Sequence, residues 1–261
     1  MLFARFRHRD HVAHGILDGG ALRPIEGDMF GTYRLRDESV PLAESILLAP
    51  LARPGKILAA AVNYRSHVPR SREIIKEEEP PAIPQLFLKP ASSIIGPDDA
   101  ILLPPEARRV DLEGELVAVI GRTCRDVSPE QALDYVFGYT CGNDVSARHW
   151  QRDDLQWWRA KGCDTFAPIG PVIAAGLDPT DLRLRTRLNG EAVQDTSTSA
   201  LIHSVADLIS FASAHMTLEP GDLLFTGTPG ETPRLSPGDV VEVEIEGIGV
   251  LRNPVAAAVG L

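Results

Sequence analysis

Short runs that alternate apolar and polar residues, closed again and again by glycine or proline, constrain this chain more than any other feature. With 22 glycines and 21 prolines among 261 residues, regular structure is interrupted too often for long helices. The pattern reads as mainly β with some α, joined by many turns. Lys56 to Val62, Gln85 to Lys89 and Leu116 to Ile120 read as strands. Leu182 to Ser197 reads as a hairpin turning at Asn189-Gly190. VVEVEIEGIGVL, Val240 to Leu251, alternates with period two and is expected to form one half-exposed strand. Two helices are expected. One follows Ser128 as N-cap with Pro129 in first position, and the other runs from Val205 to His215 behind Ser204. The Gly-punctuated stretch ahead of Arg53-Pro54-Gly55 reads as a small N-terminal β domain, giving a division into residues 1–53 and 54–261.

Charge and composition exclude several classes. A net charge of −10 argues against binding a phosphate backbone, which needs a basic face. No segment has the roughly 18 apolar residues of a membrane span, and MLFARFRHRDHVAHG lacks the apolar stretch of a signal peptide. Cys124, Cys141 and Cys163 are odd in number and lack zinc-like spacing, so reduced thiols and a cytoplasmic setting are expected. The partner expected is a small molecule, with neither nucleic acid nor membrane.

The chemistry starts in VDLEGELVAVIG. Residues i and i+2 of a strand share a face, so Glu113 and Glu115 point together at the mouth of an apolar run. Two buried carboxylates this close repel, and a positive charge is expected between them. Asp144, in FGYTCGNDVSAR, ends another strand-like run. Three oxygen ligands from two strand ends suit Mg²⁺ or Mn²⁺, whereas zinc would want suitably spaced His or Cys.

With those residues in view, the chain resembles the fumarylacetoacetate hydrolase family. VNYRSHV, LFLKPASSIIGP, DLEGELVAVIG, GYTCGNDVSAR, KGCDTFAPIGP, LNGEAVQDTSTS and PGDLLFTGTP occur in the family's order between Lys56 and Pro254. The resemblance implies a mixed β-roll for the C-terminal domain, a homodimer, and a Mg²⁺ or Mn²⁺ site acting on 2-oxo or 1,3-diketo acids. It places the metal ligands at Glu113, Glu115 and Asp144. It places catalytic roles at His67 and Lys161, and substrate contacts at Arg148, Gln151, Thr226, Gly227 and Thr228. It implies hydrolytic C–C cleavage of an acylpyruvate-like 2,4-dioxo acid as first reading. The alternative is decarboxylation or isomerisation of a 2-oxo or 2-hydroxydienoic diacid, as in aromatic-acid catabolism.

Two positions depart from the family pattern. Family hydrolases use a histidine at the place of His67, on a lid segment, to activate water, with a glutamate three residues later. Here Arg70 stands there, which would lower the imidazole's pKa, and Glu73 or one of Glu77 to Glu79 would have to serve instead. His149 stands where relatives commonly carry aspartate. His8, His11 and His14, three apart, fit neither a strand nor a helix face and read as surface residues. Trp150, Trp157 and Trp158 read as core or pocket wall.

Overall fold

The computed structural model describes residues 1–68 and 79–258. Two sheets dominate these residues. The larger has thirteen strands, and its main path begins Tyr33–Leu35, Ala21–Gly27, His11–Asp18, Leu2–His8. It continues through Ala167–Ala174, Val136–Asn143, Gly114–Ile120, Leu223–Phe225, Ile57–Ala61 and Gln85–Lys89. Neighbours on this path run antiparallel except Leu223–Phe225 beside Ile57–Ala61, which run parallel. The smaller sheet has five strands in the order Ile101–Leu103, Gly249–Ala257, Val240–Ile245, Arg183–Leu188, Glu191–Ser197.

The strand Gly114–Ile120 is buried along its whole length, and its alternation explains how. Leu116, Ala118 and Ile120 join a core with Leu184, Val243 and Leu251 of the smaller sheet. Val117 and Val119 join a second core with Ile57, Ile173 and Phe225. A strand covered on both faces has no solvent side, which is why it reads as a continuous apolar run. The sheets approach closely at Gly114, where an added Cβ would lie 2.0 Å from Thr186 Oγ1. No larger residue fits there.

The hairpin turns at Asn189 and Gly190, both at positive φ (55° and 84°), as a primed two-residue turn requires. The helix Val205–His215 starts in a full capping box, with Ser204 and Asp207 each bonding the other's backbone N–H. Pro129–Ala132 is a single helical turn behind Ser128. The three cysteines are free thiols. Among the described residues no helix is long and apolar enough to cross a membrane.

The run Val240 to Leu251 is not one strand. It folds into an antiparallel pair, Val240–Ile245 and Gly249–Ala257, with Gly247 at φ 77° in the turn between them. The period-two pattern continues into Glu246, so alternation conceals the reversal that glycine permits. The stretch before Pro54 builds its own antiparallel strands but shares the main sheet, since Leu2 and Phe3 pair with Ala174 and Ile173. Its Phe3 and Phe6 sink into the two cores. His8 and His11 face each other across the first hairpin, with His8 Nδ1 on Glu44 O and His14 Nε2 on Pro50 O. Arg70, Glu73, Glu77 and Glu78, named above as candidates to influence His67, lie outside the described residues, and Glu79 is exposed.

Candidate active site

Strand register assembles the acidic cluster. Gly114 pairs with Asn143 and Glu115 with Gly142 in antiparallel alignment. One step outward, the Asp144 N–H donates to Glu113 O (2.8 Å), so these two side chains leave adjacent strand ends. Glu115 follows on the same face as Glu113. The ligand oxygens of Glu113, Glu115 and Asp144 lie within 4.8 Å of one another, all buried.

Buried carboxylates need counter-charge, and three cations supply it. Lys161 Nζ bridges Glu113 Oε2 (2.7 Å) and Asp144 Oδ2 (2.5 Å). Arg148 Nη2 donates to Glu113 Oε1 (2.5 Å). Lys89 Nζ, whose side chain is wholly buried, donates to Asp144 Oδ1 (2.5 Å) and to the carbonyl of Lys161. Sequence reading did not single out Lys89. Its signal was the same as that of the acids: a charged residue closing an apolar strand, LFLK before Pro90.

The charges settle unequally. Burial alone would raise Glu113's carboxyl, but Arg148 and Lys161 outweigh it and hold that group far below the usual carboxylate range. Glu115 goes the other way, pushed well up by burial and by its neighbours Asp144 and Glu113. Burial pulls Lys161 down, but Asp144 and Glu113 prevail, so its ammonium is held above the ordinary lysine value. For Lys89 burial prevails over Asp144, and the shift is downward. Among the described residues Glu115 makes no ion pair and takes a single hydrogen bond, from Gly227 N–H (2.6 Å). A buried carboxylate so poorly compensated, within a cluster of oxygen donors only, fits a hard divalent cation. Glu113, Glu115 and Asp144 are the residues that would hold it.

The TGTP loop supports the cluster from beneath. The Thr226 hydroxyl donates to Leu116 O (2.9 Å) and Thr228's to Gly114 O (3.0 Å), clamping the glutamate strand. Gly227 has φ 103°, and a Cβ there would lie 2.7 Å from Asn63 Cβ. Only glycine lets the loop come this close with its N–H aimed at Glu115. The same loop anchors the NYRSH segment. Asn63 Nδ2 donates to Thr226 O (2.8 Å), Gly230 N–H donates to Ser66 Oγ (3.0 Å), and His67 Nδ1 donates to Gly230 O (2.8 Å). That last bond leaves the basic lone pair on Nε2. Burial lowers the His67 pKa, with Glu113 opposing.

A cavity of about 640 Å³ opens over these groups, with Glu113, Glu115, Lys161, His67, Arg148 and Gln151 in its wall. Of the TGTP residues Thr228 lines it, while Thr226 and Gly227 act through their bonds to the glutamate strand. Arg148 is nearly consumed by the protein, bonding Asp111 (2.9 Å), Gln151 (2.8 Å) and Thr232 (2.7 Å) besides Glu113. Trp157 forms part of the wall. Trp150 lies under the Arg159 guanidinium (4.8 Å). Trp158, by contrast, is 70% exposed and belongs to neither core nor wall.

A two-sheet β body with buried acids at adjacent strand ends, one lysine bridging two of them, a second lysine on Asp144 and a histidine in the same cavity defines a class of acid-centred enzyme site. The chain belongs to the fumarylacetoacetate hydrolase family. Residues 56–256 match the family model described as fumarylacetoacetate (FAA) hydrolase C-terminal, and residues 1–50 match an Rv2993c-like, N-terminal model. A 5-carboxymethyl-2-hydroxymuconate delta-isomerase from Mycobacterium smegmatis is 44% identical and superposes with a TM-score of 0.90, over 99% of this chain and 100% of that one. Rat mitochondrial oxaloacetate tautomerase Fahd2a is 39% identical over 83% of this chain and 71% of its own. The maleylpyruvate hydrolase of Sphingobium sp. SYK-6, solved with manganese(II) and pyruvate, is 30% identical with a TM-score of 0.82, over 99% of this chain and 100% of that one.

Proposed function

We propose that this chain is a Mg²⁺- or Mn²⁺-dependent isomerase that moves a proton between the enol and keto forms of a 2-oxo acid. The observation that carries this reading is the His67 imidazole, which lines the same cavity as the acidic cluster and is held through Nδ1 by the carbonyl of Gly230 (2.8 Å). A carbonyl acceptor fixes the tautomer with the proton on Nδ1 and turns Nε2 into the base. Such a base suits removal of a proton beside a polarised ketone, which is more acidic than water. Position 70, where the family resemblance calls for a glutamate, carries arginine. The names of the isomerase and tautomerase relatives support the same choice.

A divalent cation held by Glu113, Glu115 and Asp144 would supply Lewis acidity at the substrate's 2-oxo oxygen and neighbouring carboxylate. The chain's own groups do the rest. In the keto-to-enol direction His67 Nε2 takes the proton from the carbon next to the ketone while the 2-oxo oxygen gains one from solvent, and in the reverse direction it returns the proton to carbon as the oxygen releases its own. The Lys161 ammonium, kept charged by Glu113 and Asp144, offsets the negative charge that develops on oxygen. Arg148 keeps Glu113 aimed, and Trp157 shields the reacting carbons from water.

The second reading, hydrolytic cleavage of an acylpyruvate, is favoured by the likeness to the maleylpyruvate hydrolase bound to pyruvate. One experiment separates the two. Acetylpyruvate, fumarylpyruvate, oxaloacetate and a 2-hydroxydienedioate are each incubated with Mg²⁺ or Mn²⁺, or with chelator, and products are identified by mass. The isomerase reading requires chelator-sensitive loss of enol absorbance with the mass unchanged. Pyruvate plus an acid as the main products would replace it with the hydrolase, and no chelator-sensitive turnover of any substrate would sink both.

A further inference from the structure

Three arginines meet in the cavity wall of a protein whose net charge is −10, with the acid Glu231 lining the same cavity. Arg108, Arg109, Arg152 and His149 line it, beyond the acidic cluster. Two of the arginines are spoken for: Arg109 grips Asp111 through two bonds (2.8 and 2.9 Å) and Arg152 grips Asp153 (2.7 and 3.2 Å). Among the described residues Arg108 makes no side-chain hydrogen bond or ion pair, although its backbone is pinned. Its carbonyl accepts from Arg234 Nη2 (3.1 Å), and the carbonyl of Arg109 accepts from Arg148 N–H (3.0 Å). A guanidinium on an anchored backbone, facing a cavity without a counter-ion, is a built receptor for an anion.

A second observation falls at the same place. Among the described residues His149 Nδ1 is buried and has no hydrogen-bond partner, a cost that structures rarely leave standing. Burial, and then Arg108 with Arg159 and Arg152, push this ring's pKa down, with Asp153 opposing them, so His149 meets the arginines as a neutral imidazole. The residue that departs from the family pattern therefore sits beside Arg108 as a neutral ring with an unused nitrogen.

We propose that Arg108, with His149 beside it, forms a second anion site that reads a carboxylate at the far end of the substrate and makes the chain selective for 2-oxo dicarboxylates. The inference rests on the proposed function only in seating the 2-oxo end at the acidic cluster. Arg108 thereby determines specificity and takes no part in the proton transfer.

Binding, read by calorimetry in Mg²⁺, tests this without turnover. The probes are pyruvate and the 2-oxo diacids of four to seven carbons, with wild type, Arg108→Met and Arg108→Lys. Arg108 is exposed, so the variants fold. One diacid length should bind wild type at least tenfold tighter than pyruvate. Arg108→Met should remove about ten- to a hundredfold of that affinity, the size of one charge-assisted hydrogen bond, and leave pyruvate unchanged. Arg108→Lys should keep part of the advantage. Equal weakening of pyruvate and diacid, an advantage untouched by Arg108→Met, or no diacid advantage in wild type would each overturn the proposal. An Arg108-dependent advantage in a protein that isomerises nothing would overturn the proposed reaction alone. Wild type binding none of the probes would overturn both.

Discussion

At the scale of single residues, the site depends on cations placed where the carboxylates leave their strands. Lys89 is the clearest case, since its side chain is entirely buried against Asp144. Replacing it with alanine leaves Asp144 buried without one of its two cations, and such losses cost about 3–5 kcal/mol. Urea unfolding of Lys89→Ala should show a loss of this size, against little change for the exposed Arg122→Ala. His67 should behave differently. His67→Ala should lower kcat by about 10²–10⁴-fold, the worth of a positioned base, with unfolding and cation binding close to wild type. Because burial depresses its pKa, His67 stays neutral as pH falls past the ordinary histidine value of about 6.5. The acid limb of kcat/KM should therefore lie below that value, and a limb above it would exclude His67 as the base. The acidic triad was legible in the sequence because strand periodicity is local: Glu113 and Glu115 share a face whatever surrounds them. Lys89 was not, because a lysine at a strand end normally marks solvent, and only the meeting of distant strands turns this one inward. Arg148, expected to contact substrate, lines the cavity, but its four bonds to the protein could not be read from its position after Asp144.

Individual elements show the same division between local and distant causes. The capped helix Val205–His215 and the Asn189-Gly190 hairpin follow from residues a few positions apart, and both formed where the pattern put them. The reversal at Gly247 is also local, yet the alternation of VVEVEIEG masks it. The TGTP loop owes its position to a close approach that no motif announces, the meeting of Gly227 with Asn63. Gly227→Ala would add a Cβ 2.7 Å from the Asn63 Cβ at φ 103°. It should destabilise the protein by more than about 1 kcal/mol and weaken Mn²⁺ binding, because the N–H that holds Glu115 must move. Titration of Mn²⁺ against this variant and wild type checks it, and wild-type affinity would remove Gly227 from the account.

At the scale of the whole molecule, the stretch before Pro54 is stitched to the body by a pairing that no local signal reveals, Leu2 with Ala174 and Phe3 with Ile173. Phe3 also stacks against Phe137 (4.8 Å between centroids), so the N-terminal strands cover one face of the strand that leads to Asp144. A chain starting at residue 51 should lose that cover, expose the apolar edge of Ala167–Ala174 and melt at lower temperature with weakened cation binding. Calorimetric melting of the two chains compares them directly, and an unchanged Tm would show the first fifty residues to be dispensable for the fold. In the proposed reaction acids, lysines and His67 act as one proton-transfer centre that spares the carbon skeleton. Deuterium exchange is its most direct test: the best-bound 2-oxo diacid is followed by proton NMR in D₂O with the Mg²⁺-loaded protein. Enzyme-dependent deuteration is expected at the carbon beside the ketone, abolished by chelator and by His67→Ala, with the carbon chain intact. Cleavage of that chain without prior exchange would contradict it.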